Sequence, residues 1–364
     1  MIESIEIKNF RCFKDTKIAK FGLVNLFGGM NNAGKTALLE AVHLIASPSS
    51  DTVMFLQRII REISLELIKQ MPDDAWNGLY YQQDKQHDLI ISSLNCSHDN
   101  YKITLKCDEE LSDFVEFSKE NPEDEDMIKF SNALSEKDTM KSALHIDVYK
   151  NDDKESSSVL VASRAGVIAK GSVISKLKKS KFIPASAKLP NYKLAIEFDK
   201  AKLKEREGIV LDVIKVIDSS IESVETLSIG GGNLHLKRKD EKRMPLSYFG
   251  DAVSKVVNIT LTIINNPNSI VIIDEIENGI HHTAQAELWA MLFKLAIAYD
   301  TQIFATTHSS EMIKSFAKVA QDFPDKAAYF EMARSPKTNL IKAIKHDVET
   351  LRFELDRNIL IRGE

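Results

Sequence analysis

The sequence predicts an α/β fold carrying an inserted α+β subdomain, on three observations. Ser269-Ile270-Val271-Ile272-Ile273 is a continuous apolar run bounded by Asn265-Asn266-Pro267-Asn268, and Ile303-Phe304-Ala305-Thr306-Thr307 is a second run. Both read as strands buried on the two faces of a parallel sheet. A third strand, Leu23 to Phe27, runs through a loop bracketed by Gly29 and Gly34 directly into helix-forming Ala37-Leu38-Leu39-Glu40-Ala41. Between residues 48 and 204 the composition shifts and this alternation of buried strand and helix is lost.

Taken in order, Ile2 to Lys8 and Asp15 to Ala19 alternate as strands, and the third strand leads into a helix from Lys35 to about Ala46. Ser47-Pro48-Ser49-Ser50-Asp51 is turn-rich and ends it. The insertion reads as a helix over Val53 to Gln70 and strands over Asp88 to Leu94, Tyr101 to Cys107 and Ala143 to Tyr149. Two of its segments are charge-biased: ten acidic residues and one lysine between Asp108 and Asp126, and seven lysines with no acid between Lys170 and Lys193. Charge runs of this kind are solvated surface first, with a nucleic-acid or acidic-partner contact as the alternative for the lysines. After about Ala201 come a helix to about Ser219, a hairpin through Gly230-Gly231-Gly232, a helix from about Tyr248, and then alternating strands and helices. The expected division is a discontinuous domain of residues 1–47 and 205–345, an insertion of 48–204, and a C-terminal helix and tail of 346–364.

With 364 residues and 43% apolar content the chain has enough material for a proper core. Cys12, Cys96 and Cys107 are odd in number and lack C-x-x-C spacing, which fits a reduced cytoplasmic setting better than disulfides or zinc. The start alternates like a strand and lacks a basic region followed by an apolar signal core, and no apolar run approaches the ~20 residues of a membrane helix. The expectation is a cytoplasmic protein with no membrane partner. A net charge of -5 offers no global attraction to nucleic acid, so DNA contact would need a local patch.

Gly29-Met30-Asn31-Asn32-Ala33-Gly34-Lys35-Thr36 reads G-x-x-x-x-G-K-T between a strand and a helix. The glycines let backbone N–H groups close on a phosphate, and the helix that continues through Ala37 adds its N-terminal potential. Lys35 is placed for the β- and γ-phosphates and Thr36 for Mg²⁺. Asp274-Glu275 ends the first apolar run: an Asp there suits the metal, and an adjacent carboxylate suits polarising an attacking water. His308 ends the second run before the helix cap Ser309-Ser310 and is read as a γ-phosphate sensor. His281-His282 are adjacent at a helix start, where side chains diverge, so they are not read as a metal pair. Pro245-Leu246-Ser247-Tyr248-Phe249-Gly250-Asp251 precedes the acidic strand and opens a helix at Ser247.

In that order, P-loop, L-S-x-x-G, acidic strand and histidine strand, the chain resembles the bacterial AAA15 or OLD-like ATPases, relatives of RecF, Rad50 and SMC heads. Ile5-Glu6-Ile7-Lys8-Asn9-Phe10-Arg11, Ile273 to His281 and Ala305 to Ser309 match as well. The resemblance implies a P-loop NTPase with an ABC-type ATPase head, in which two heads sandwich two ATP molecules. Ser247 and Gly250 of one protomer would touch the γ-phosphate held by the other, Asn278 would lie across the seam, and Arg11 would lie near the nucleotide. Lys35, Glu275 and His308 would be catalytic. Gly29, Asn31, Asn32, Ala33, Gly34, Thr36 and Ala37 would cradle ATP, and Thr36 and Asp274 would hold Mg²⁺.

Two departures accompany the resemblance. The glutamine loop has only Gln82 and Gln83 as candidates, and about fifty residues follow His308, too few for the TOPRIM nuclease of OLD proteins. The expected role is an ATP-hydrolysing sensor or scaffold, a homodimer or higher even oligomer, serving a separate effector such as a nuclease or toxin in anti-phage defence. A RecF-like DNA-repair ATPase and a non-hydrolysing, ATP-stabilised assembly protein are the rivals. A GTPase is disfavoured by the lack of an N-K-x-D motif.

Overall fold

The computed structural model describes residues 1–108, 141–172, 178–186, 189–228, 232–347 and 351. Its contacts divide the chain into two units: Met1, Lys20–Leu39 and Lys178–Glu364 form the first, and Ile2–Ala19 with Glu40–Leu177 form the second. Neither the lysine Lys176, nor Gly230 and Gly231 of the expected hairpin, nor the acidic segment beyond Asp108, nor the tail apart from His346, Asp347 and Leu351 lies within the described residues.

The second unit is built on a seven-stranded sheet of antiparallel neighbours, β1 (Ile2–Phe10), β2 (Phe13–Ala19), β4 (Leu89–Asn95), β5 (Asn100–Asp108), β6 (Lys141–Lys150), β7 (Asp153–Ser163) and β8 (Gly166–Ser172). Their order is β2-β1-β4-β5-β6-β7-β8. Alternate residues such as Ile5, Ile7, Ile91, Ile103 and Leu105 are buried, as period-2 strands with one packed face require. The N-terminal strands group with this unit because both edges of β1 are paired, Ser4 with Ala19 on one side and Ile5 with Ser93 on the other. The expected boundary at residue 47 therefore moves. The helix expected over Val53 to Gln70 is also broken into α2 (Ser50–Phe55), a π-helical turn at Leu56–Ile60, and α3 (Leu65–Gln70) capped by Ser64. Ser64 Oγ accepts the Leu67 N–H at 3.1 Å, a local start signal that the continuous apolar pattern hides.

In the first unit a six-stranded sheet runs β16-β15-β3-β14-β13-β9. These are β16 (Ile341–His346), β15 (Ala327–Arg334), β3 (Val24–Gly29), β14 (Gln302–Thr306), β13 (Ile270–Ile273) and β9 (Ser180–Ile183). All neighbours are parallel except β16, which returns against β15. The two apolar runs are the interior strands β13 and β14, fully buried as predicted. On one face Val24, Leu26, Val271 and Ile303 share a core with Trp289 and Phe316. Phe27 on β3 stacks with Phe330 at 5.2 Å and with Phe304 at 6.3 Å. A short sheet of β10 (Ile221–Leu227), β11 (Asn233–Arg238) and β12 (Met244–Pro245) completes the strands of this unit.

Helix α1 (Lys35–Ala46) has the predicted bounds. The division between the units falls within it, after Leu39, and the helices wholly in the first unit are α4 (Asn191–Lys202), α5 (Glu207–Ile217), α6 (Gly250–Asn265), α7 (His282–Ala298) and α8 (Ser310–Ala320). The single helix expected up to about Ser219 is α5, separated from α4 by Glu205 in the left-handed region (φ 57). Leu194 and Phe198 of α4 are buried in the core of this unit, so the segment expected to belong to the insertion up to residue 204 joins the head from Lys178 onward. The helix expected at Ser247 starts instead at Gly250, after a 3-10 turn at Leu246–Tyr248.

Candidate active site

Strand β3 ends where the chain can pass only without side chains. A Cβ on Gly28 would lie 2.3 Å from the Tyr329 hydroxyl, and one on Gly29, whose φ is +136, would lie 2.3 Å from the Met332 carbonyl oxygen. The loop continues with Asn32 (φ 61) and Gly34 (φ 87) in left-handed conformations, and the Gly34 carbonyl accepts the Leu38 N–H at 2.9 Å as α1 begins. Asn31 and Asn32 are exposed at the tip, while Ala33 and Ala37 are buried beneath it.

Sheet order sets the rest of the site. Beside β3 lies β14 and then β13, so His308, after β14, falls between the loop and the Asp274-Glu275 pair that follows β13. Thr36 Oγ1 donates to Asp274 Oδ2 at 3.0 Å, and Thr306 Oγ1 donates to Asp274 Oδ1 at 2.5 Å. The Lys35 ammonium donates to the carbonyls of Gly29 and Met30, both at 2.7 Å, and lies 3.3 Å from His308 Nδ1. Burial pushes this ammonium down to about 8, against the opposing pull of Asp274, Glu277 and Glu275.

Glu275 takes the left-handed conformation (φ 48), which turns its side chain off the strand end. Its N–H donates to Thr306 Oγ1 at 2.9 Å, and its carbonyl accepts from Asn278 N–H at 3.1 Å and from the Lys255 ammonium. Asn278 Nδ2 donates to Glu275 Oε2 at 2.7 Å, and His308 Nε2 stands 3.8 Å from Glu275 Oε1. The His308 N–H donates to Glu277 Oε1 at 2.6 Å. The carboxylate of Glu275 is thus aimed by an amide and an imidazole, half-buried and beside the loop lysine's imidazole partner.

Ser247 and Gly250 lie apart from this cluster on an exposed turn, with Tyr248 between them 75% exposed. Gly250 (φ 83) has no neighbour within 4 Å of an added Cβ. Arg11 lies in the second unit, where its Nε donates to the buried Glu40 Oε2 at 2.8 Å and Arg61 pairs with the other oxygen. Gln82 and Gln83 share that unit, both with positive φ. The His281 and His282 rings lie with centroids 4.2 Å apart, closer than the diverging-helix argument expects, because His281 is the extended residue before α7 (ψ 143) and not a helical one. No group of three or more metal-ligating residues occurs among the described residues.

Three participants escaped the sequence reading. Thr306 reads as one more residue of an apolar strand, yet its hydroxyl bridges Asp274 and the Glu275 peptide. Glu277 carries an Oε2 that is buried without a hydrogen-bond partner among the described residues. Lys255 comes from α6, distant in sequence, and only folding brings it to Glu275.

A glycine-bracketed loop, an acidic pair two strands away and a histidine on the strand between define a P-loop ATPase of mixed α/β build. Residues 1–313 match the AAA ATPase domain family AAA_15, and the chain belongs to that family. It is similar to an ATP/GTP phosphatase of Helicobacter pylori, 26% identical over 347 residues that cover 88% of this chain and 89% of the relative. A shorter stretch of 60 residues is 38% identical to the DNA replication and repair protein RecF of Lactococcus lactis subsp. cremoris, covering 16% of this chain and 17% of that one. Among solved structures, an SMC head bound to the C-winged helix domain of ScpA is similar at 11% identity and a TM-score of 0.49, over 96% of this chain and 98% of that one.

Proposed function

We propose that the chain binds Mg-ATP in its P-loop and hydrolyses it with Glu275 as general base. The observation that supports this best is the meeting of Thr36 with Asp274, hydroxyl beside carboxylate, at the point where loop helix and acidic strand converge. These are hard oxygen donors of the kind Mg²⁺ takes together with water and phosphate, so the residues present fit that ion. Mg²⁺ held there would neutralise charge on the β- and γ-phosphates.

Lys35 then exchanges the Gly29 and Met30 carbonyls for phosphate oxygens. Glu275 accepts the proton of the attacking water while Asn278 and His308 hold its carboxylate in line, and His308 meets the γ-phosphate. Two copies close on two ATP molecules, Ser247 and Gly250 of one against the γ-phosphate held by the other, with Asn278 along the seam. The exposure of the Ser247 to Gly250 turn supports this. The resulting homodimer, or higher even oligomer, serves as a cytoplasmic sensor or scaffold for a separate effector protein in anti-phage defence, a role that rests on family kinship.

A second reading, an ATPase of DNA repair, is favoured by the local match to RecF, and stimulation of turnover by DNA would distinguish it. The test of the primary reading is Glu275→Gln, which keeps shape and removes charge: phosphate release drops roughly 10²-fold or more while ATP binding persists. Wild-type turnover in this variant would remove Glu275 from the role.

A further inference from the structure

Glu275 holds a backbone conformation sparsely populated by non-glycine residues, and three groups fix its peptide: the Thr306 hydroxyl, the Asn278 N–H and the ammonium of Lys255. The first two come from the strand and turn beside Glu275. Lys255 alone comes from α6, the helix that begins at Gly250 just after the Leu246–Tyr248 turn, whose Ser247 and Tyr248 are exposed. Contact between the same two segments recurs next to it, since a Cβ on Gly279 would stand 3.2 Å from the Ala252 nitrogen. Burial lowers the Lys255 ammonium from its ordinary range, against the smaller opposing pull of Glu277, Glu275 and Asp274.

We infer that Lys255 is a positioning residue for ATP hydrolysis: it ties the Glu275 peptide to α6, so that the base and the Ser247 to Gly250 turn move as one piece. The inference rests on the reading of Glu275 as the base. Displacement of the turn by a closing partner would then be felt at Glu275 through the bond from Lys255 to its carbonyl. Among the described residues the hydrogen bonds of Lys35 run to Gly29, Met30 and His308 and that of Lys255 to Glu275, so the expected effect of losing Lys255 is on turnover and not on nucleotide binding.

Lys255→Met keeps the length and apolar stem and removes the donor. Expected is a kcat lower by about tenfold or more, with KM and the Kd of a fluorescent ATP analogue within about twofold of wild type. Lys255→Arg, which keeps a cationic donor, restores much of the rate. In a Glu275→Gln background the Met substitution produces no further loss, because the group it positions is already disabled. If the Met protein loses thermal stability, Lys255→Leu, which also lacks a donor, is read in its place. Wild-type kcat in a folded variant, or kcat and affinity falling together, overturns the inference while leaving Glu275 as base. Failure of both Met and Leu variants to fold assigns Lys255 to stability alone and overturns it too. Wild-type turnover in Glu275→Gln by itself removes the reading of the base, and the Lys255 inference falls with it.

Discussion

Lys35 carries the sharpest consequence at the scale of the residue. Its ammonium is pushed down to about 8 by burial, and a triphosphate beside it favours the charged form again. Nucleotide binding therefore takes up a proton, about half a proton per site near pH 8, and affinity weakens as pH rises through that value. Calorimetry at pH 8 in two buffers of different ionisation enthalpy reads the uptake directly; equal apparent enthalpies would contradict it. The sign for stability is opposite to that for binding. Between about 8 and 10.5 the unfolded chain holds the lysine proton that the folded chain has shed, so this group's contribution to stability rises with pH across that window. Lys35→Ala abolishes nucleotide binding and is expected to leave a folded protein, because the bonds its buried ammonium gives up run to the Gly29 and Met30 carbonyls of the loop itself; unchanged ATP affinity in the folded variant would refute the P-loop assignment.

Elements differ in how far the sequence disclosed them, and the reason is physical. The strand, loop and helix over residues 24–46 were legible because Gly29 and Gly34 bracket a loop between an apolar strand and helix formers, Gly29 standing where β15 presses on β3, and the interior strands β13 and β14 because burial on both faces demands unbroken apolar runs. Gly29→Ala tests the first point. The added methyl meets the Met332 carbonyl in a backbone region that side chains rarely adopt, so the urea midpoint should fall by the equivalent of about 3 kcal/mol. A midpoint unchanged from wild type would show that the loop yields and that the glycine is not required for packing. Hidden elements share an opposite property. Strand β7 opens with Asp153-Lys154-Glu155-Ser156, polar enough to pass for a loop, and its pairing with β6 is what makes it a strand. The lysines read as loop or nucleic-acid contact include Lys181 on β9, the edge strand of the parallel sheet, where a charged side chain guards an open edge against pairing with another chain. Lys178 next to it pairs with Asp300 at 3.3 Å. Site residues divide the same way: Thr36, Asp274, Glu275 and His308 were legible as strand and loop ends, whereas Thr306 and Lys255 act through bonds that only the tertiary fold creates.

For the whole molecule, the P-loop, Thr36 with Asp274, Glu275 and His308 gather at the end of one sheet, while Ser247 and Gly250 face solvent on a separate turn, and in the proposed dimer these would be the two halves of a composite site. On that proposal a single chain would bind ATP without turning it over efficiently, and a second copy would complete the site. No helix among the described residues is long and apolar enough to cross a membrane. The direct test mixes two inactive proteins, Ser247→Arg, whose own P-loop is untouched, and Lys35→Ala, whose own turn is untouched. In their mixed dimer one composite site carries both lesions and the other carries neither, so ATPase activity should return towards half of the wild-type rate per mixed dimer, about one intact site in two. Phosphate release measured across a titration of one variant into the other, with mixed dimers verified by differential tags, is the deciding observation. Activity peaking at equimolar mixture is the predicted result; mixed dimers that form and stay inactive would contradict the shared site.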